Sequence, residues 1–401
     1  MKLYPSKDDV TRQGTPMALD RHIRSLLLVA AVVCAGCTAA PSDISRAARA
    51  ANIERDAERL RGECQTASGG DWDLWERQTQ RYRDALRKKV DELKHVRPSQ
   101  PFIPDPPLEG LSDFPLFEVQ AQENLAHLYD DESLAEFRRK RPAIAAHRWL
   151  QKRGIDLIYV PVPRMTEVYI EHFLESVPAD GIIAPRVRQT LLQQLEADVE
   201  TVDAFSTLRP EREPNPEYLY NAADTHWAPR GMRIVAKDVA RRLTRYDFGA
   251  AARNAQPVVR TSVGPYETRA YPFEMKIGEL PRLDGWLGLS DRQRSLAEKA
   301  QTRTCEFVRT ADDLSAPNDP QSPVLLIGHS YCYNFREILT KEANLLLRTH
   351  LGDQHTTEAF ADFLRDSSLL SGVRVVIWVT TEAHMTRFRP MPPPILAALG
   401  P

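Results

Sequence analysis

The chain has 401 residues, 42% of them apolar, which is enough to bury one large core or two modest ones. Lysine and arginine number 53 against 55 aspartates and glutamates, for a formal net charge of -2. That balance supplies no basic field of the kind nucleic-acid binding requires, so nucleic acid is excluded as a partner.

In chain order, the stretch from Met1 to Pro16 is mostly polar and carries Pro5 and Pro16, and Met17 is an alternative start. Arg21, His22 and Arg24 then precede the apolar run Ser25–Val33, and Ala35-Gly36 leads into Cys37. This is the order of a secretory leader, and the apolar run is too short to span a bilayer comfortably. The segment resembles a bacterial lipobox, with Cys34 where leucine is usual. That resemblance implies a lipoprotein-type signal peptide over residues 1–37 and lipidation of Cys37, giving a membrane contact through the lipid anchor. Without the leader, Cys64, Cys305 and Cys332 remain. An oxidising compartment permits a disulfide among them, but nothing in the sequence selects the pair.

Residues 38–97 are rich in alanine, arginine, glutamate and lysine, which predicts a helical N-terminal region broken at Gly69-Gly70. Leu74, Trp75, Tyr82, Leu86, Val90 and Leu93 form its apolar stripe, and its charges read as a solvated face. A proline-rich linker is expected over 98–110. The main domain, 111–386, then alternates helical segments with apolar runs. A helix over Ser133–Lys152 breaks or restarts at Pro142, and Gly154 suits its end. Strands are expected at Ile155–Val162, Pro323–Ile327 and Val373–Val379, and a helix at Phe335–Leu347. The alternation predicts an α/β domain with a mainly parallel central sheet flanked by helices. Gly249–Asp319 lacks clear periodicity and is expected to be an insertion or cap, and 387–401 is a proline-rich tail.

Two segments carry chemistry. Val324–Ile327 runs through Gly328 and His329 into Ser330, at the carboxyl edge of a parallel sheet, where open α/β proteins place their ligands. The helix behind makes the Ser330 backbone N–H a candidate oxyanion donor. Serine is also a common cap and turn residue, and this segment alone does not make a nucleophile. The second segment is Asp224-Thr225-His226-Trp227, just before Pro229. An imidazole that takes the serine proton, and a carboxylate that orients the imidazole, are what a serine nucleophile requires. Alternatives stay open: Asp224 as a helix cap, His226 as an ordinary loop histidine, Trp227 as core, and a metal site from Asp224, His226 and His329 that lacks a fourth ligand. Arg164 and Asn334 lie near the strand end and the serine but read as packing or surface residues. Tyr159 and Tyr331 serve either a sugar site or the core.

The Asp-x-His-Trp element, the later Gly-x-Ser-Tyr element and the upstream Arg153–Pro163 segment together resemble the SGNH-hydrolase-like domain of the alginate O-acetyltransferases, the AlgJ and AlgX group. The likeness covers roughly Ser133 to Thr381. It implies that Ser330 accepts an acetyl group, that His226 acts as base and then acid, and that Asp224 orients His226. It also implies a periplasmic location, a polysaccharide hydroxyl as acceptor, a separate membrane-bound O-acyltransferase as acetyl donor, and neither cofactor nor metal. His329 departs from the pattern, since an aspartate or another small polar residue is common there, and it competes with His226 as a base. Cys332 is a rival nucleophile without support in the sequence. A glycan acetyl esterase using the same triad, and a non-catalytic polysaccharide-binding scaffold, are the competing functions.

Overall fold

The computed structural model of the chain describes residues 41–96, 131–172, 174–212, 219–220, 226–248, 258–265, 269–270, 275–276, 302–309, 319–352, 357–386 and 390–400. The expected leader with Cys37 and Met17, the expected linker over 98–110, Asp224 and residues 387–389 lie outside the described residues.

Helices α1, Pro41–Ser68, and α2, Trp72–Val96, part at Gly69 and Gly70, whose φ values of 68° and 94° are left-handed and cheap only for glycine. From Arg49 onward the chain forms one compact unit. On α2, Trp75, Thr79 and Leu86 are buried at helical spacing, while Leu74 is exposed. The expected stripe therefore loses Leu74, because successive residues on a helix lie about 100° apart and Leu74 cannot share a face with Trp75. The expected solvated face of α1 is also corrected. Arg49, Asn52 and Asp56, spaced three and four residues apart, are buried. Arg49 pairs with Asp198 at 3.0 Å, Asn52 donates to Glu200 at 3.3 Å, and Asp56 accepts from Arg242 at 2.7 Å.

Helix α3, Asp131–Lys140, and helix α4, Pro142–Gln151, are separated at Arg141, with a φ of 48°, and Pro142 opens α4 where a missing N–H costs nothing. Gly154, with a φ of 70°, turns the chain into β1, Asp156–Val162. Helix α5, Pro185–Glu196, leads to the two-residue strand β2, Glu200–Thr201, and helix α6 spans Pro229–Leu243. In the segment without clear periodicity, β3, Val258–Pro265, pairs antiparallel with β6, Thr302–Arg309, and β4, Arg269–Ala270, pairs with β5, Met275–Lys276. The chain then gives β7, Val324–Gly328, helix α7, Tyr333–Ala343, β8, Arg348–Leu351, helix α8, Glu358–Arg365, and β9, Val375–Thr381.

The central sheet runs β2-β1-β9-β7-β8, and every pair is parallel. The three expected strands, β1, β9 and β7, are its inner ones. Each is apolar without alternation because both faces are covered. Ile158, Val160, Leu326, Ile377 and Val379 face one core with Met232, Val235 and Phe335 of α6 and α7. Leu157, Leu325, Val376 and Trp378 face the other with Leu150, Leu191 and Phe360 of α4, α5 and α8. This is an α/β fold with a parallel central sheet flanked by helices, as expected.

The helix expected over Phe335–Leu347 begins two residues earlier and ends at Ala343. Asn344 adopts a left-handed conformation with a φ of 48°, and the Leu345 N–H turns back to the Thr340 carbonyl at 3.2 Å. Leu345–Leu347 then enter the core as the approach to β8 rather than as a helix face. The proline-rich tail docks on α4: Ile395 is buried, and Arg148 Nη1 donates to the Leu399 carbonyl at 2.6 Å. Among the described residues no helix is long and apolar enough to cross a membrane.

Candidate active site

Ser330 opens a short 3-10 turn, Ser330–Cys332, between the end of β7 and α7. The turn is tight because the sheet leaves it no room: a Cβ on Gly328 would lie 2.0 Å from Cys332 Sγ and 2.9 Å from the Val379 carbonyl oxygen. Only glycine fits at that position. Cys332 is wholly buried, and burial pushes its thiol well above the ordinary range, so the sulfur packs beneath the turn and is no rival nucleophile. Cys64 is likewise a buried free thiol, so neither Cys64 nor Cys332 is disulfide-bonded.

His226 reaches Ser330 from the segment ahead of α6. Ala228 N–H donates to the Leu219 carbonyl at 2.7 Å, Leu219 N–H donates to Tyr169 Oη at 2.8 Å, and Tyr220 Oη donates to the Pro163 carbonyl at 2.6 Å. Gly231 permits this clasp, since a Cβ there would meet the Leu219 carbonyl oxygen at 2.4 Å. Trp227 is fully buried, stacks on Phe335 with ring centroids 4.8 Å apart, and donates its indole N–H to the Tyr331 carbonyl at 2.9 Å. That bond ties the histidine segment directly to the serine turn. Trp227 is therefore core, and its position is what aims its neighbour.

The result is a His226 Nε2 to Ser330 Oγ separation of 2.8 Å between residues 104 apart in sequence. Both side chains are partly exposed at the carboxyl edge of the sheet. A hydrogen-bonded imidazole at this distance is placed to take a serine proton. Tyr331 is buried with its ring centroid 4.7 Å from that of His226, and so walls the imidazole. Of the expected site residues, Ser330 and His226 are brought together, while Asp224 and Cys37 lie outside the described residues. Arg164, at the end of β1, is buried, Asn334 is half-buried, and Tyr159 is buried inside the sheet.

The site holds two features beyond the expected pair. His329, expected as a competing base, is buried beside Ser330 and holds its Nδ1 3.4 Å from Ser330 Oγ. His384, just past β9, packs edge-to-face on His329 with ring centroids 4.5 Å apart, and its Nδ1 lies 3.0 Å from Thr380 Oγ1. The signal for His384 was its place beyond the carboxyl end of an inner parallel strand, where ligand sites gather. The second feature is a buried ionic cluster at the same edge. Arg188 pairs with Asp203 at 2.8 Å and with Glu382, and Arg59 reaches Asp203 at 3.1 Å. Burial pushes Glu382 up to about 8, with Glu167 and Asp203 adding like charge against the pull of Arg188. Burial acts the same way on Asp203, but Arg188, Arg59 and the Ser206 hydrogen bonds outweigh it and hold that carboxyl below the usual range. Among the described residues no group of three or more His, Cys, Asp or Glu is placed to hold a metal ion.

The family model described as the SGNH hydrolase-like domain of acetyltransferase AlgX matches residues 121–382. The chain belongs to that family. The match takes in both His226 and Ser330. A probable alginate O-acetylase AlgJ from Pseudomonas fluorescens is 26% identical over 189 residues, covering 46% of this chain and 44% of the relative. One from Pseudomonas aeruginosa is 28% identical over 199 residues, covering 47% of each. The chain spans about half the length of these relatives. Among solved structures, the O-acetyltransferase domain of Pseudomonas putida AlgJ is similar at 19% identity and a TM-score of 0.47, covering 66% of this chain and 91% of that one. Pseudomonas aeruginosa AlgX is similar at 17% identity and a TM-score of 0.39, covering 61% and 55%.

Proposed function

We propose that the chain is an exported polysaccharide O-acetyltransferase that carries its acetyl group on Ser330. The observation behind this reading is the 2.8 Å contact between His226 and Ser330 at the carboxyl edge of an acetyltransferase-family sheet. In the first half-reaction Ser330 Oγ attacks the donor's acetyl carbonyl as His226 Nε2 takes its proton, and His226 returns that proton to the departing group. In the second half-reaction a sugar hydroxyl attacks the acetyl-serine, His226 takes its proton, and Oγ leaves as it is reprotonated. The Ser330 N–H serves the oxyanion in both halves. Asp224, two residues before His226, takes the role of orienting carboxylate.

The acceptor in this reading is a polysaccharide of the alginate-like exopolysaccharide class, since the relatives above are named probable alginate O-acetylases. A membrane-bound O-acyltransferase supplies the acetyl group. The leader sequence supports a periplasmic protein anchored by lipid on Cys37. Neither metal nor cofactor takes part in the steps above.

The test is to incubate the purified chain with an activated acetyl ester and map the label by mass spectrometry. Acetate should appear on Ser330, vanish in Ser330→Ala, and form far more slowly in His226→Ala and Asp224→Ala. Label that persists in Ser330→Ala would sink the assignment. Acetate released only to water at saturating oligosaccharide would assign the site to an esterase instead.

A further inference from the structure

We infer that His329 is a second catalytic contact of the nucleophile, donating its Nδ1–H to Ser330 Oγ when that oxygen leaves the acetyl group. The inference rests on the acetyl-serine reading above. The serine oxygen has one proton and two lone pairs. The shorter contact, 2.8 Å to His226 Nε2, takes the proton, which leaves a lone pair for His329 Nδ1 at 3.4 Å. His329 is thus a donor rather than a rival base. Its ring is fixed in that orientation by its surroundings. It is buried, His384 packs edge-to-face upon it, and Tyr331 lies on another side with centroids 5.2 Å apart. Thr380 in turn holds His384.

The value of such a donor differs between the two half-reactions. A neutral serine hydroxyl already accepts a hydrogen bond, so a donor gains little as Oγ attacks the acetyl donor. The ester oxygen of acetyl-serine is a poor acceptor. When the acceptor's oxygen bonds to the acetyl carbon and its proton passes to His226, the tetrahedral adduct breaks its carbon–Oγ bond and the electron pair collects on Oγ. A donor there strengthens as the charge arrives, until His226 returns the proton. A contact that is long in the resting site is expected to tighten at that moment.

The experiment uses the purified full chain with 4-nitrophenyl acetate, following the nitrophenolate burst for acylation and the decay of acetyl-Ser330 by intact mass for deacylation. In His329→Leu the acetyl-enzyme should persist about 10-fold longer, with acylation changed by less than roughly threefold. His329→Asn, whose amide places an N–H close to the position of imidazole Nδ1, should restore decay to near the unaltered rate, while His329→Gln should not. Decay in His329→Leu at the unaltered rate would overturn the inference. Should His329→Leu fail to fold, equal decay in the Asn and Gln variants overturns it equally. An unaltered chain that never carries acetate on Ser330 would overturn the acetyl-serine reading itself, a result recognisable before any variant is made.

Discussion

Among the described glycines, the closest approach of a would-be Cβ to its surroundings lies directly under Ser330. In Gly328→Ala the new methyl would stand 2.0 Å from Cys332 Sγ, 2.9 Å from the Val379 carbonyl oxygen and 3.4 Å from Cys332 Cβ. Neither obstacle gives way easily, because Cys332 is buried and Val379 belongs to an inner strand. Overpacking of this kind should cost about 2–3 kcal/mol. Cys332→Ala alone leaves a small cavity and should cost about 1–2 kcal/mol. In the double variant the 2.0 Å clash is gone, leaving the Val379 contact and a 3.4 Å approach to the Cβ of residue 332, so its cost should fall short of the sum by at least about 1 kcal/mol. Urea denaturation of the four proteins measures this, and acetylation of Ser330 should follow the same order, since the turn carries that serine. Costs that add to within about 0.3 kcal/mol would refute the claim that sulfur against glycine sets the turn.

Trp227→Phe keeps the stacking on Phe335 but removes the indole donor to the Tyr331 carbonyl, and should lose about 1–2 kcal/mol in denaturant unfolding together with much of the Ser330 acetylation rate; full activity would show that the indole bond does not aim His226. Glu382 has a folded pKa of about 8 against an ordinary 4.5, so its contribution to stability is fully present below 4.5 and is lost as pH rises through 8. Glu382→Gln should therefore flatten the decline of melting temperature with pH across that window, and an unchanged slope would contradict the assignment. Arg242→Met leaves Asp56 and Glu200 buried with less counter-charge and should cost about 3 kcal/mol or more in denaturant unfolding, with a loss under about 1 kcal/mol refuting the network's importance.

What could be read before the structure follows from local chemistry. The three inner strands were legible because double-sided burial writes unbroken apolar runs, and the helix breaks because Gly69-Gly70 and Pro142 admit few alternatives. The edge strands were not. Glu200-Thr201 is too short to carry a pattern, and Arg348–Leu351 is polar and half-buried. The end of α7 was overrun because Leu345–Leu347 continue an apolar face in sequence while Asn344 turns the chain in space. Ser330 and His226 were legible because a serine after a buried strand and an imidazole after a polar loop are the two parts one chemistry needs. The Asn52–Glu200–Arg242 contacts were hidden by separations of more than 40 residues, since burial of a charge depends on a partner that local spacing cannot name.

The network around Glu200 also bears on self-association. β2 is an outer strand of the sheet and only two residues long, a position where open backbone groups would otherwise template the addition of another strand. Helix α1 lies over that border, with Ile53, Ala57 and Leu60 in the core of one sheet face and Cys64 in the core of the other. The guanidinium groups of Arg242 and Arg245 fill in around Glu200. A second chain seeking to extend the sheet there would have to peel away a helix and break buried ion pairs. Among the described strands the opposite border of the sheet is β8, four residues long and interrupted by Arg348 and His350.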